Sequence, residues 1–193
     1  MLATVHHVTN DDQLLAQRAG EGDHAAFGTL FERHKGHIYR YCRLMLGDDD
    51  AAADIYQEVF INFYRACRTG QVMHNVRGYL ITAARSRCLN SLRSSQRLST
   101  LEDDELISYS PDETASDTRD HLQKALGMIP PQYREALVLF ELEGYSYDEI
   151  SKQCDISLGV VKNRIYRAKQ ALQKILGPIL REQRFDESGE NEY

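Results

Sequence analysis

The stretch from Ser146 to Leu176, SYDEISKQCDISLGVVKNRIYRAKQALQKIL, reads as two helices joined by a tight turn. Ser146 and Glu149 form an S-x-x-E capping box that starts a helix at Tyr147, with Ile150 as its buried position. Asp155-Ile156 breaks the pattern, and Ser157 is a good N-cap for a second helix. Along that helix Val161, Ile165, Ala168, Leu172 and Ile175 recur at helical spacing and make one apolar face. It also carries five cations (Lys162, Arg164, Arg167, Lys169 and Lys174) and no acid. A short capped helix followed by a basic one is the layout of a helix-turn-helix whose second helix enters a DNA major groove. Lys162, Asn163 and Tyr166 stand at i, i+1 and i+4, where they present base-reading groups near the helix start. Arg167 and Lys169 lie further along, where phosphates are met. An amphipathic surface helix with a solvated basic face is the bland alternative, and five cations without a balancing acid count against it.

The whole chain pulls the other way, with 193 residues and a net charge of −6. The charge is laid out in blocks. Asp48 to Glu58 holds five acids and no base, Arg77 to Arg97 five arginines and no acid, and Glu102 to Asp117 seven acids and no base. Alternating blocks imply separate surfaces for protein and nucleic-acid partners. An apolar fraction of 42% is ordinary for a globular protein. No apolar run approaches a membrane span and the N-terminus lacks a signal-peptide layout, so the expected location is the cytoplasm, with no membrane insertion. The four cysteines, Cys42, Cys67, Cys88 and Cys154, are widely spaced and read as reduced thiols in helices. A metal held by His34, His37 and Cys42 is conceivable from their spacing, but that helix is apolar on several sides, and no metal is expected. No P-loop, G-x-G-x-x-G, G-x-S-x-G or H-E-x-x-H is present, so neither catalytic residues nor a cofactor are expected.

The rest of the chain is helical, with no strand pattern longer than a few residues. Asn10 is positioned to cap a helix beginning at Asp11. A long helix spans about Ala25 to Met45, with Phe27, Leu30, Phe31, Ile38, Tyr41 and Met45 in its stripe, and Gly47 ends it. The Asp48–Asp50 run suits the electropositive start of the next helix, which runs to about Cys67. Another helix follows from about Val76 to Arg93. The expected organisation is a first helical domain over 1–94, a flexible acidic linker over 95–118, a second small helical domain over 119–177, and a disordered acidic tail over 178–193. Gly177-Pro178 stops the last helix in this reading. The fold class is all-α, two small helical domains joined by a flexible linker.

Five segments in this order resemble the bacterial extracytoplasmic-function (ECF, group IV) sigma factors of the sigma-70 family. They are GDHAAFGTLFERH (22–34), AADIYQEVFINFYR (52–65), RGYLITAARSRCLNSLR (77–93), the stretch 126–143, and GYSYDEISKQCDISLGVVKNRIYRAKQAL (144–172). The resemblance covers roughly Asp11 to Leu176. It departs from the family at Ala53 (usually Glu), Tyr79 (Trp), Ser86 (Asn), Asn90 (Asp) and Val160 (Thr). The resemblance implies a sigma domain 2 and a sigma domain 4 that bind core RNA polymerase, through its β′ clamp and β flap, and initiate transcription at specific promoters. Asp54, Gln57, Glu58 and Tyr64 would dock on the β′ clamp. Arg77, Tyr79, Arg85, Ser86, Asn90 and Arg93 would face the melted −10 element, helped by loop residues Gln71 to Asn75. Lys162, Asn163, Tyr166, Arg167 and Lys169 would read the −35 duplex. The acidic linker would thread the polymerase's RNA path, and an anti-sigma factor would be a further partner. A stand-alone LuxR-like helix-turn-helix regulator is the main rival.

Overall fold

Two compact units divide the chain, Met1–Arg93 and Ser94–Tyr193. The computed structural model describes the backbone over residues 3–99 and 118–189 and the side chains over 11–94 and 121–177.

In the first unit, α1 (Ala3–Gly20), α2 (His24–Leu46) and α3 (Asp49–Arg68) pack against one another, and α4 (Val76–Ser99) completes the core. Helix boundaries obey local chemistry. The Asp23 side chain accepts the Ala26 N–H and starts α2, while Gly47, at φ 76°, ends it in the left-handed conformation that glycine adopts most easily. Asp48 caps α3 by accepting the Ala51 N–H. Leu30, Ile38, Tyr41, Met45, Val59, Phe63, Leu80 and Ile81 fill the core. At Gly20 a methyl group would lie 2.5 Å from the Cys67 carbonyl oxygen, so α1 closes against α3 only with glycine there.

One buried polar cluster ties α1 to α2. His34 Nε2 and Asp12 Oδ2 are 2.7 Å apart, and both residues are buried. Arg33 reaches the same carboxylate from the surface and also pairs with Asp11. Burial alone would raise the Asp12 pKa, but the hydrogen bonds and charges of His34 and Arg33 outweigh it and hold the carboxyl below its ordinary value. His34 is thus engaged within the unit and Cys42 is buried in the core. Among the described residues no group of three or more His, Cys, Asp or Glu is arranged to hold a metal.

The second unit contains α5 (Thr118–Gly127), α6 (Pro131–Leu137), a π-helical turn (Val138–Leu142), α7 (Tyr147–Cys154) and α8 (Leu158–Gly189). Buried Arg134 donates to the carbonyls of Gly127, at 2.7 Å, and Ile129, at 3.1 Å, satisfying acceptors at the end of α5. In the π turn the Glu143 N–H donates to the Val138 carbonyl five residues back, at 3.1 Å.

Several boundaries differ from the sequence reading. Helix α1 begins at Ala3 rather than Asp11, so Asn10 is inside it. Docking of Leu15, Ala16 and Ala19 fixes the helix, and extending an existing helix is far easier than starting one. By the same propagation α4 runs on to Ser99, taking residues 95–99 out of the expected linker. The remainder of that linker, residues 100–117, lies outside the described residues. Nor does Gly177-Pro178 end α8, which continues to Gly189, within the stretch read as an acidic tail. Proline removes the N–H that would bond four residues back and crowds the carbonyl there, which can kink a helix without ending it, and the next residues, Ile179 to Arg184, are mostly good helix formers. Residues 190–193 lie outside the described residues.

Candidate nucleic-acid interface

Local hydrogen bonds build the helix-turn-helix. Ser146 Oγ accepts the Glu149 N–H while the Glu149 carboxylate accepts the Ser146 N–H at 2.8 Å, closing the capping box. Asp155 takes the left-handed conformation, φ 53° and ψ 53°, which aspartate tolerates better than most residues. The Ile156 N–H donates to the Ser151 carbonyl at 3.1 Å, so Ser151 locks the turn. Ser157 Oγ accepts the Val160 N–H at 3.4 Å and opens α8. Val161, Ile165 and Ala168 are buried, and Leu172 and Ile175 half-buried, on the face expected to be apolar.

With that face turned inward, Asn163, Tyr166 and Gln170 make the outermost row of α8. Tyr166 is 59% exposed, and its hydroxyl accepts a hydrogen bond from Gln170 Nε2 at 2.7 Å. Lys162 and Lys169 lie on one flank. Arg167 is exposed toward the other, beside half-buried Arg164. The lysine flank is structured. The rings of Phe140 and Tyr147 stack with centroids 4.8 Å apart and planes 5° from parallel. Lys162 Nζ stands 5.9 Å from the Tyr147 centroid and Lys169 Nζ 5.6 Å from that of Phe140. Lys169 also pairs with Glu141 Oε1 at 2.6 Å, and this hydrogen bond raises the lysine pKa. The five −35 candidates therefore share one exposed surface, although Lys169 already has a carboxylate partner.

Helix α4 is built differently. Leu80, Ile81, Ala84 and Cys88 are buried along one face, and Thr82, Ser86, Asn90 and Arg93 are exposed along the other. Tyr79 is half-buried with its ring 5.8 Å from Phe63, and burial raises its hydroxyl pKa. Arg85 is half-buried on the edge of the outward row. Arg77 does not join that row. It stands nine residues, half a turn in net rotation, from Ser86, and its Nε is out of contact with solvent. The arginine block of the sequence is therefore not one uniform basic face.

On α3, Asp54 and Gln57 are exposed and Glu58 is half-exposed beside them. Tyr64 lies at the edge of this face, packed edge-on against Phe27 with centroids 4.9 Å apart. Sequence reasoning missed one member of the face and one tie across it. Ile61 is 50% exposed between Gln57 and Arg65, and its spacing from Gln57 and Glu58 was the available signal. Glu58 Oε1 pairs with Arg87 Nη1 of α4 at 2.6 Å, a tie that no local spacing reveals. Loop residues Gln71, Val72, His74 and Asn75 are exposed, and Met73 is buried beneath them.

A helix-turn-helix with its basic second helix exposed, on an all-helical two-unit chain, defines a DNA-binding protein of the helix-turn-helix class. Residues 30–98 match the family model for sigma-70 region 2, and residues 119–172 match that for sigma-70 region 4. The chain is 28% identical over 171 residues to the ECF RNA polymerase sigma factor SigM of Mycobacterium tuberculosis, covering 89% of this chain and 87% of that protein. It is 31% identical over 166 residues to the ECF RNA polymerase sigma factor SigE of Mycolicibacterium smegmatis, covering 80% of this chain and 64% of that protein. To the ECF RNA polymerase sigma-E factor of Escherichia coli K12 it is 25% identical over 185 residues, covering 88% and 96%. Its fold resembles that of CnrH, solved with the cytosolic domain of CnrY, at a TM-score of 0.64 and 22% identity over 87% of this chain and 98% of that one. The chain belongs to the sigma-70 family and, within it, to the ECF sigma factors. It is an alternative sigma factor that directs RNA polymerase in transcription initiation. The LuxR-like reading falls with the region 2 match, because that part of the chain is a sigma domain rather than a sensor.

Proposed function

We propose that this chain is a group IV sigma factor acting in the cytoplasm, with sigma domain 2 over 1–94 and sigma domain 4 over 119–177. In this reading Lys162, Asn163, Tyr166, Arg167 and Lys169 engage the −35 duplex. Tyr79, Ser86, Asn90 and Arg93, with Arg77 and Arg85 at the margins, face the melted −10 element. Asp54, Gln57, Glu58 and Tyr64 dock on the β′ clamp, domain 4 meets the β flap, and the acidic segment between the domains tracks the polymerase's RNA path. No described helix is long and apolar enough to cross a membrane.

The observation that carries this reading is the outward row of α8, where uncharged hydrogen-bonding groups run between a lysine flank and an arginine flank. Base edges need the former and phosphates the latter. Helix α4 has a related pattern, a polar uncharged row that suits extruded bases, with cations at its edges. An anti-sigma factor is the expected regulator, since the sigma factor RpoE of Bartonella quintana, whose fold this chain resembles, was solved in complex with the anti-sigma factor NepR. Run-off transcription with core polymerase on genomic DNA tests the proposal. Discrete start sites that depend on the chain are expected, and no chain-dependent transcript from any template would overturn it.

A further inference from the structure

Lys169 is the one −35 candidate whose charge is already answered within the unit by a described carboxylate. Its surroundings are built rather than accidental. Lys162 and Lys169, two helical turns apart on one flank, stand over the two stacked rings of Phe140 and Tyr147. A ring face holds an ammonium group in place without using all of its donors. Glu141 takes one of the remaining donors at 2.6 Å, from a position given by the π turn.

We propose that Glu141 is a counter-ion gate for DNA, holding Lys169 over Phe140 in the free protein and yielding it to a backbone phosphate when α8 docks on a duplex. Glu141 is then a positioning residue that acts through Lys169. The proposal rests on the reading of α8 as the duplex-binding helix and adds to it a device that lowers affinity for unselected DNA.

The physical case is one of exchange. Lys169 and Glu141 side chains are 54% and 45% exposed, so their attraction is screened by water and salt. Such a pair opens readily. The phosphate chain of a duplex is a dense polyanion, and a lysine placed against it releases a condensed counterion. Glu141 lets that gain through only in part, because a freed carboxylate attracts a cation of its own.

The test uses the full-length chain and a short random-sequence duplex carrying a fluorophore, with anisotropy monitored from about 50 to 200 mM salt. Glu141→Gln is expected to raise affinity roughly two- to fivefold, the range set by an exposed pair. It is also expected to steepen the salt dependence by about 0.9, the share of one phosphate. In a Lys169→Met background the same substitution should do neither. An equal gain in both backgrounds would overturn the gate and leave Glu141 as an acid that merely repels DNA. No gain in either background would overturn it too. Arg167→Ala separates this result from the reading beneath it. If Arg167→Ala weakens binding while Glu141→Gln has no effect, only the gate fails. If Arg167→Ala and Lys162→Ala both leave affinity unchanged, α8 is not the DNA helix and the gate falls with it. Thermal melting of each variant shows that the fold is retained.

Discussion

The two helices proposed to face nucleic acid, α4 and α8, are built into their units in opposite ways. Helix α4 is a core helix, with five of its described residues buried, one arginine turned partly inward at Arg77 and another tied to α3 through Glu58. Over its described side chains α8 is a surface helix. Three residues, Val161, Ile165 and Ala168, are fully buried, and its cations lie outside. Their ion pairs differ in the same sense. Asp12 and His34 meet out of solvent, whereas Glu141 and Lys169 meet in it. In α4, then, part of the chemistry, at Arg77 and half-buried Tyr79, cannot be changed without touching the packing of the first unit. In α8 it can.

The largest effect that would break this comparison is at the buried pair. Asp12→Ala leaves His34 and Arg33 without their shared carboxylate and should lower stability by about 3–5 kcal/mol, read by denaturant melting near neutral pH. The sign with pH comes from the depressed pKa of Asp12. Its contribution is fully present above about pH 4 and is lost as pH falls through the lower folded value, so the variant should lose part of the acid-side decline. An unchanged acid limb would mean that the pair does not stabilise the unit. Next is Ile81→Ala on the inward face of α4, with an expected loss of about 2–5 kcal/mol. A loss below about 0.5 kcal/mol would make α4 a surface helix like α8.

Asn163→Ala should change stability by no more than about 0.5 kcal/mol, yet weaken binding by about 1–3 kcal/mol at one or two −35 positions in a promoter-library transcription assay. A stability loss without a change in preference would reverse its assignment. The smallest effect on the fold belongs to Gln57→Ala with Glu58→Ala, within about 0.5 kcal/mol, although the Arg87 tie is lost. Affinity for core polymerase should nevertheless fall, and unchanged affinity in a pull-down with purified core would remove α3 from the docking surface.

Local features were legible in the sequence where a short-range rule governs them. The Ser146–Glu149 box, Gly47, the acidic start of α3 at Asp48–Asp50 and the buried row of α8 are each fixed by residues within a turn or two of one another. Helix ends were less legible, because Asn10 and Pro178 are strong local signals that lose to propagation from a docked helix. Tertiary ties left no trace in the sequence. Nothing near Asp12 marks His34 as its partner, and nothing near Glu58 marks Arg87. Of the candidate site, the outward face of α8 could be read because helical periodicity sorts its residues. For α4 charge counting misled, since five arginines in one block do not share one face.

The π turn at Val138–Leu142 sets the angular register of the lysine flank. It fits about one more residue into a single turn than an α-helix would, so it resets the angular register between the segments on either side of it. Because each α-helical residue advances the chain by about 100°, removing one residue from the bulge would rotate α6, on its N-terminal side, against the segment on its C-terminal side. Phe140 and Glu141 would leave the lysine flank together, while substitutions could remove them only singly.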